Sequence, residues 1–250
     1  MLRQVLLGVL LFVATTVRAD SLACARLART LLGPGVWSRV LRIENRRSDP
    51  AHPLDFHALV FALEDRLWLY HSNEGTQSLS IYAGRLEQDE ANLAPLLHAV
   101  LPDLTGFQDV TEQVNGRALG PEWPPPLRRP GDTLPFGCFI ECLARWRELQ
   151  AGPAPPEEAG VLAFYFDTGT GPHGHSVLVY RQNRLRYCYD PAAGETFEME
   201  SSTPTGTPLE LARGLNPMQT PFKAHLLALH RPAAAAPVAV AKIATEATGS

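Results

Sequence analysis

Two stretches of this chain share one signature: a histidine, an apolar-alternating run, a polar turn, and a second alternating run opening on Arg-Leu. They are "HALVFALEDRLWLYHSNEGT" (57–76) and "HSVLVYRQNRLRYCYDPAAGET" (175–196). Alternation with a period of two marks a strand, so each stretch reads as a β-hairpin. In the first half a helix (Ser21–Leu32), "GPG" and a strand (37–43) precede it; in the second, a helix (138–150), "GPAPP" and a strand (161–166). His57 to Arg66 and His175 to Arg184 are both nine residues, which puts His57 in the place of His175 and suggests a duplicated unit. The expected fold is therefore α+β, built as two similar lobes, each an N-terminal helix packed on an antiparallel sheet.

The lobes span 20–119 and 136–231. Between them lies "GPEWPPPLRRPGDTLP" (120–135), whose prolines continue neither a helix nor a central strand. The tail, 232–250, is biased to Ala, Pro and Thr and reads as disordered.

The first nineteen residues carry an early arginine, an apolar run over positions 5 to 17, and small residues before a cut after Ala19. That is a secretory signal pattern, and the run is shorter than the roughly 20 apolar residues a spanning helix needs. A lipoprotein reading with Cys24 acylated is disfavoured, because Arg18 and Asp20 interrupt the approach and Ser21 stands where a leucine is wanted. The expected product is secreted or periplasmic, with no membrane segment in its mature form.

Loss of Arg3 and Arg18 takes the formal charge from −4 to −6, which leaves no electrostatic footprint for nucleic acid. With 45% hydrophobic residues the chain can build real cores. Four cysteines (Cys24, Cys138, Cys142, Cys188) in an exported chain suggest two disulfides, with three connectivities open.

The second hairpin raises a chemical question. A two-residue loop at Gln182-Asn183 places 181 opposite 184, hence His175 opposite Asp190 and Val177 opposite Cys188. Opposed side chains about 5 Å apart at Cβ let a carboxylate orient an imidazole. Upstream, "LPFGCFIECLARWREL" turns amphipathic after Gly137, so Cys138 stands at a helix start, where the helix dipole and free backbone N–H groups favour a thiolate. Cys142, one turn on, reads as packed, and Glu141 as a solvated helix residue. Cys138, His175 and Asp190 then supply nucleophile, base and orienter. Two rival readings use the same residues: His173, His175, Cys188 and Asp190 as zinc ligands, or Asp190-Pro191 as a plain strand end.

The order Cys138–His175–Asp190, with "GHSVLVY" and "YCYDPAAGE", resembles the papain-like cysteine hydrolase superfamily, in its transglutaminase-like and bacteriocin-processing-peptidase-like branches. The fifteen-residue His-to-Asp spacing suits both branches, and the thirty-seven-residue Cys-to-His spacing suits the first better. The resemblance covers about residues 134 to 230. It implies two papain-like lobes, the first degenerate, and acyl transfer from a peptide or protein amide with no cofactor. Departures are Asp132 and Thr133 where the peptidase branch carries a glutamine, and Phe139 where the transglutaminase branch carries a tryptophan. Oxyanion stabilisation would then fall to backbone N–H groups. In the first lobe, Cys24 aligns near Leu143 rather than Cys138. A catalytically silent binding or scaffold module on the same fold is the alternative.

Overall fold

The computed structural model describes residues 21–33, 35–48, 54–81, 86–118, 134–169, 171–200 and 206–230. The expected signal peptide, nearly all of the proline-rich segment and the tail lie outside the described residues.

The first half runs α1 (Ser21–Leu32), β1 (Ser38–Asn45), β2 (Asp55–Leu63), β3 (Arg66–His71), β4 (Gly75–Ile81), α2 (Leu86–Ala91), α3 (Leu93–Val100), β5 (Leu104–Asp109) and α4 (Thr111–Ala118). The second runs α5 (Cys138–Ala151), β6 (Glu158–Asp167), β7 (Pro172–Gln182), β8 (Leu185–Asp190), β9 (Glu195–Glu198), α6 (Pro208–Leu215) and β10 (Lys223–Leu229). The strands form two five-stranded antiparallel sheets, ordered β4-β3-β2-β1-β5 and β9-β8-β7-β6-β10. The two orders are the same. In each, four strands follow one another as a meander, and the fifth returns beside the first.

Alternation along the strands gives each sheet two apolar faces, and both are covered. Val40, Leu59 and Tyr70 of the first sheet and Val161 and Leu178 of the second share one buried cluster with α1 and α5. The helix pair thus lies between the sheets. The outer face of the first sheet packs on α3 through Leu93 and Leu97, and that of the second on α6 through Leu211 and Ala212. Arg147 on α5 donates to the Leu31 and Leu32 carbonyls at the end of α1, a favourable place for a cation. Gly33, at φ 77°, makes room for that guanidinium; a side chain there would collide with it.

The second hairpin turns one residue later than the sequence suggests. Gln182 pairs with Leu185, so the loop is Asn183-Arg184 and Val179, not Val177, faces Cys188. Both loop residues have positive φ, 53° and 68°, as a type I′ turn requires. Asn tolerates the left-handed region and Gln much less, which moves the loop forward.

In the first hairpin Leu63 pairs with Arg66 around Glu64-Asp65. Aligning the two turns corrects the match between lobes: His57 falls on Ser176, Phe56 on His175 and His71 on Asp190. The nine-residue spacing misleads because Arg66 opens a strand whereas Arg184 lies within a turn. One residue out of phase in a strand is the opposite face. His57 accordingly points to α1, where its backbone N–H donates to Ser21 Oγ at 3.0 Å.

Candidate active site

Helix α5 starts at Cys138, as its sequence suggests, with Gly137 as N-cap and no side-chain capping bond. Its first turn therefore keeps backbone N–H groups uncapped by any side chain. One turn in, the Cys142 thiol donates to the Ser176 carbonyl on β7 at 3.6 Å. This contact docks α5 against β7 one residue after His175.

His175 Nε2 and Asp190 Oδ1 are 3.0 Å apart, with side chains only 15% and 16% exposed. The corrected register removes direct opposition but keeps the contact. Moving the loop by one residue shifts partners by two, which preserves the face, so Asp190 becomes a diagonal neighbour of His175 within side-chain reach. The same Oδ1 accepts the Ala192 N–H at 2.9 Å, and the Asp190 carbonyl accepts from Gly194 at 2.8 Å. Asp190 both ends its strand and holds the imidazole. The edge of that ring meets Phe164, with centroids 5.5 Å apart and planes at 85°.

Cys138 lies near enough to the His175 ring to act on its charge. Burial pulls the imidazole pKa down, but hydrogen bonds to Asp190 and Cys138, and their charges, outweigh it and raise it to about 10. Burial pushes the Asp190 carboxyl up; the His175 hydrogen bond and charge, with the Ala192 and Ala193 N–H groups, prevail and hold it below its ordinary value. The raised pKa favours the charged ring beside the Asp190 carboxylate.

All four cysteines are free thiols, which overturns the two-disulfide expectation. Cys138 is half-buried; the other three are buried. Cys24 and Cys142 belong to the core between the sheets and Cys188 to the outer core of the second. Burial pushes the Cys142 and Cys188 thiols well up, which disfavours their thiolates. Among the described residues no group of three His, Cys, Asp or Glu side chains could hold a metal ion. His173 instead stacks on Phe166, with ring centroids 6.1 Å apart.

Glu141 is not solvated. It is 4% exposed and accepts the Leu134 N–H at 3.0 Å, tying the segment before Cys138 back onto α5. Leu134 itself is 3% exposed, so the second lobe's core reaches into the end of the proline-rich stretch. Asp132 and Thr133 lie outside the described residues, and Leu134–Gly137 offers no polar side chain. In the first sheet the places of His175 and Asp190 are taken by Phe56 and His71, whose rings are 5.3 Å apart.

No helix among the described residues is long and apolar enough to cross a membrane. No family model, no curated protein and no solved structure matches the chain.

Proposed function

We propose that the second lobe is a papain-like Cys-His-Asp site for acyl transfer from a peptide or isopeptide amide, in an exported protein. The observation that carries this reading is the His175 ring, bonded to Asp190 through Nε2, with Cys138 near enough to help raise its pKa.

The steps follow from the arrangement. The Cys138 thiolate attacks the amide carbonyl carbon, forming a C–S bond, while backbone N–H groups at the start of α5 hold the oxyanion. The His175 imidazolium gives its proton to the leaving nitrogen as the C–N bond breaks, which leaves a thioester and a neutral ring. Water or a second amine then attacks the thioester. His175 takes the incoming proton, and the sulfur leaves as thiolate. Asp190 keeps the ring oriented and stabilises its charged form. The first lobe, with Phe56 and His71 at the equivalent places, has no such relay.

The test is labelling of the native chain with a peptidyl electrophile, followed by mass mapping. Cys138 should be modified ahead of Cys24, Cys142 and Cys188, and His175→Ala should abolish that preference. Equal labelling of all four, or labelling indifferent to His175, would overturn the proposal.

A further inference from the structure

Cys138 is presented by a short segment, Leu134–Gly137, in which Phe136 adopts φ 50°. A bulky side chain in the left-handed region is strained and persists only where its surroundings hold it. Glu141 supplies part of the hold from within the second lobe. The rest comes from the first.

Three residues of the first sheet meet the residues flanking Cys138. The Tyr70 hydroxyl on β3 donates to the Pro135 carbonyl at 2.9 Å. Gly75, at the start of β4, passes so close that an added Cβ would lie 2.7 Å from the Phe136 carbonyl oxygen. Trp68, also on β3, packs on Phe139, with ring centroids 4.8 Å apart. Trp68 and Tyr70 are two apart on one strand and so share a face, the face covered by α1 and α5. The contacts fall at positions 135, 136 and 139, on both sides of the nucleophile in sequence.

Resting on the triad reading, we infer that the first lobe is the positioning half of the active site, with Tyr70 as a positioning residue that sets the Cys138 sulfur against His175. Tyr70 is fully buried. Burial, followed by the nearby Cys24, Glu141 and Cys138, holds its phenol protonated far above the ordinary range, so it remains a donor throughout the working pH range. It never touches the reacting atoms. Its action is geometric: it fixes the carbonyl three residues before the nucleophile, and a displacement near 1 Å at such a site can reduce rate by about 10²-fold.

The experiment uses the full chain and iodoacetamide, a probe that needs no substrate. In Tyr70→Phe, Cys138 alkylation at pH 6 should slow by roughly tenfold to 10²-fold. Its pH midpoint should rise toward that of His175→Ala, and hydrogen exchange of the 136–139 amides should quicken. A merely structural tyrosine would lower the melting temperature without moving the midpoint. Should Tyr70→Phe fail to fold, Trp68→Leu loosens the same segment at its Phe139 contact and should move the midpoint the same way. Parental exchange and parental alkylation in the folded variant overturn the inference, whatever His175→Ala does. A His175→Ala protein as reactive as the parent overturns the triad reading instead.

Discussion

His175 and Asp190 are joined by a 3.0 Å hydrogen bond although they are not cross-strand partners. The bond is diagonal across the β7–β8 ladder, and its carboxylate end is pinned by the Ala192 N–H. A diagonal contact depends on side-chain reach, so it is sensitive to what replaces the carboxylate.

Asp190→Asn should therefore leave the fold intact and impair the site. The amide retains an acceptor oxygen but no charge to stabilise the imidazolium, and it can present its NH2 to the ring. Once a substrate is found, turnover should fall by as much as ~10⁴-fold, the scale measured for the equivalent change in a serine protease. In the interim, Cys138 alkylation by iodoacetamide should shift to higher pH. An unaltered alkylation profile in the folded variant would leave Asp190 as a strand end only.

The pair should also leave a mark on stability. The folded pKa of His175, about 10, is above its reference value of 6.5, so its stabilisation is complete below about 6.5 and is lost as pH rises toward 10. The folded pKa of Asp190 is below its reference value of 3.8, so its contribution is complete above that value and is lost as pH falls below it. The melting-temperature difference between parent and Asp190→Asn should therefore be greatest between about pH 4 and 6.5 and shrink toward pH 10. A difference that is flat from pH 5 to 10 would mean the two groups are not coupled.

Glu141 gives a prediction on folding. Glu141→Ala leaves the buried Leu134 N–H without its acceptor, a loss of about 1–3 kcal/mol in urea unfolding. Glu141→Gln retains a carbonyl oxygen at that position and should lose less. If the two variants are equally stable, the hydrogen bond to Leu134 is not what Glu141 contributes.

Arg184 sits at φ 68° in the β7–β8 turn, where an L side chain carries a penalty of about 1–2 kcal/mol. Arg184→Gly creates the Asn-Gly pair that a type I′ turn favours and should raise stability by about 0.5–1 kcal/mol. Calorimetry would show it as a higher melting temperature. A lower one would indicate that the arginine side chain contributes more than its backbone costs.

The helices and hairpins were readable because their signals are local. The stretch Ser21–Leu32 ends at a glycine with φ 77°, and Cys138 follows a glycine that caps α5. The sequence places the second turn only to within one residue, because Gln182-Asn183 and Asn183-Arg184 both contain the asparagine that marks it. The His57–His175 match failed on that same residue. The His175–Asp190 contact was reachable despite the error, since a shift of two in partner keeps the face. Tyr70, Trp68 and Gly75 carried no signal, because their meaning depends on contacts more than sixty residues away, and Glu141 was misjudged because its partner is a backbone N–H that no pattern of side chains reveals.

The helix pair between the sheets has one more implication, for what would happen if the backbone were cut. Neither sheet has a private covering on that side: α1 touches both β2 and α5, and α5 reaches both β4 and β7. A protease acting within 119–133 would produce two fragments, each with an unshielded apolar face that matches the other. Such a nick should yield a two-chain protein that stays together through purification rather than a pair of independent modules.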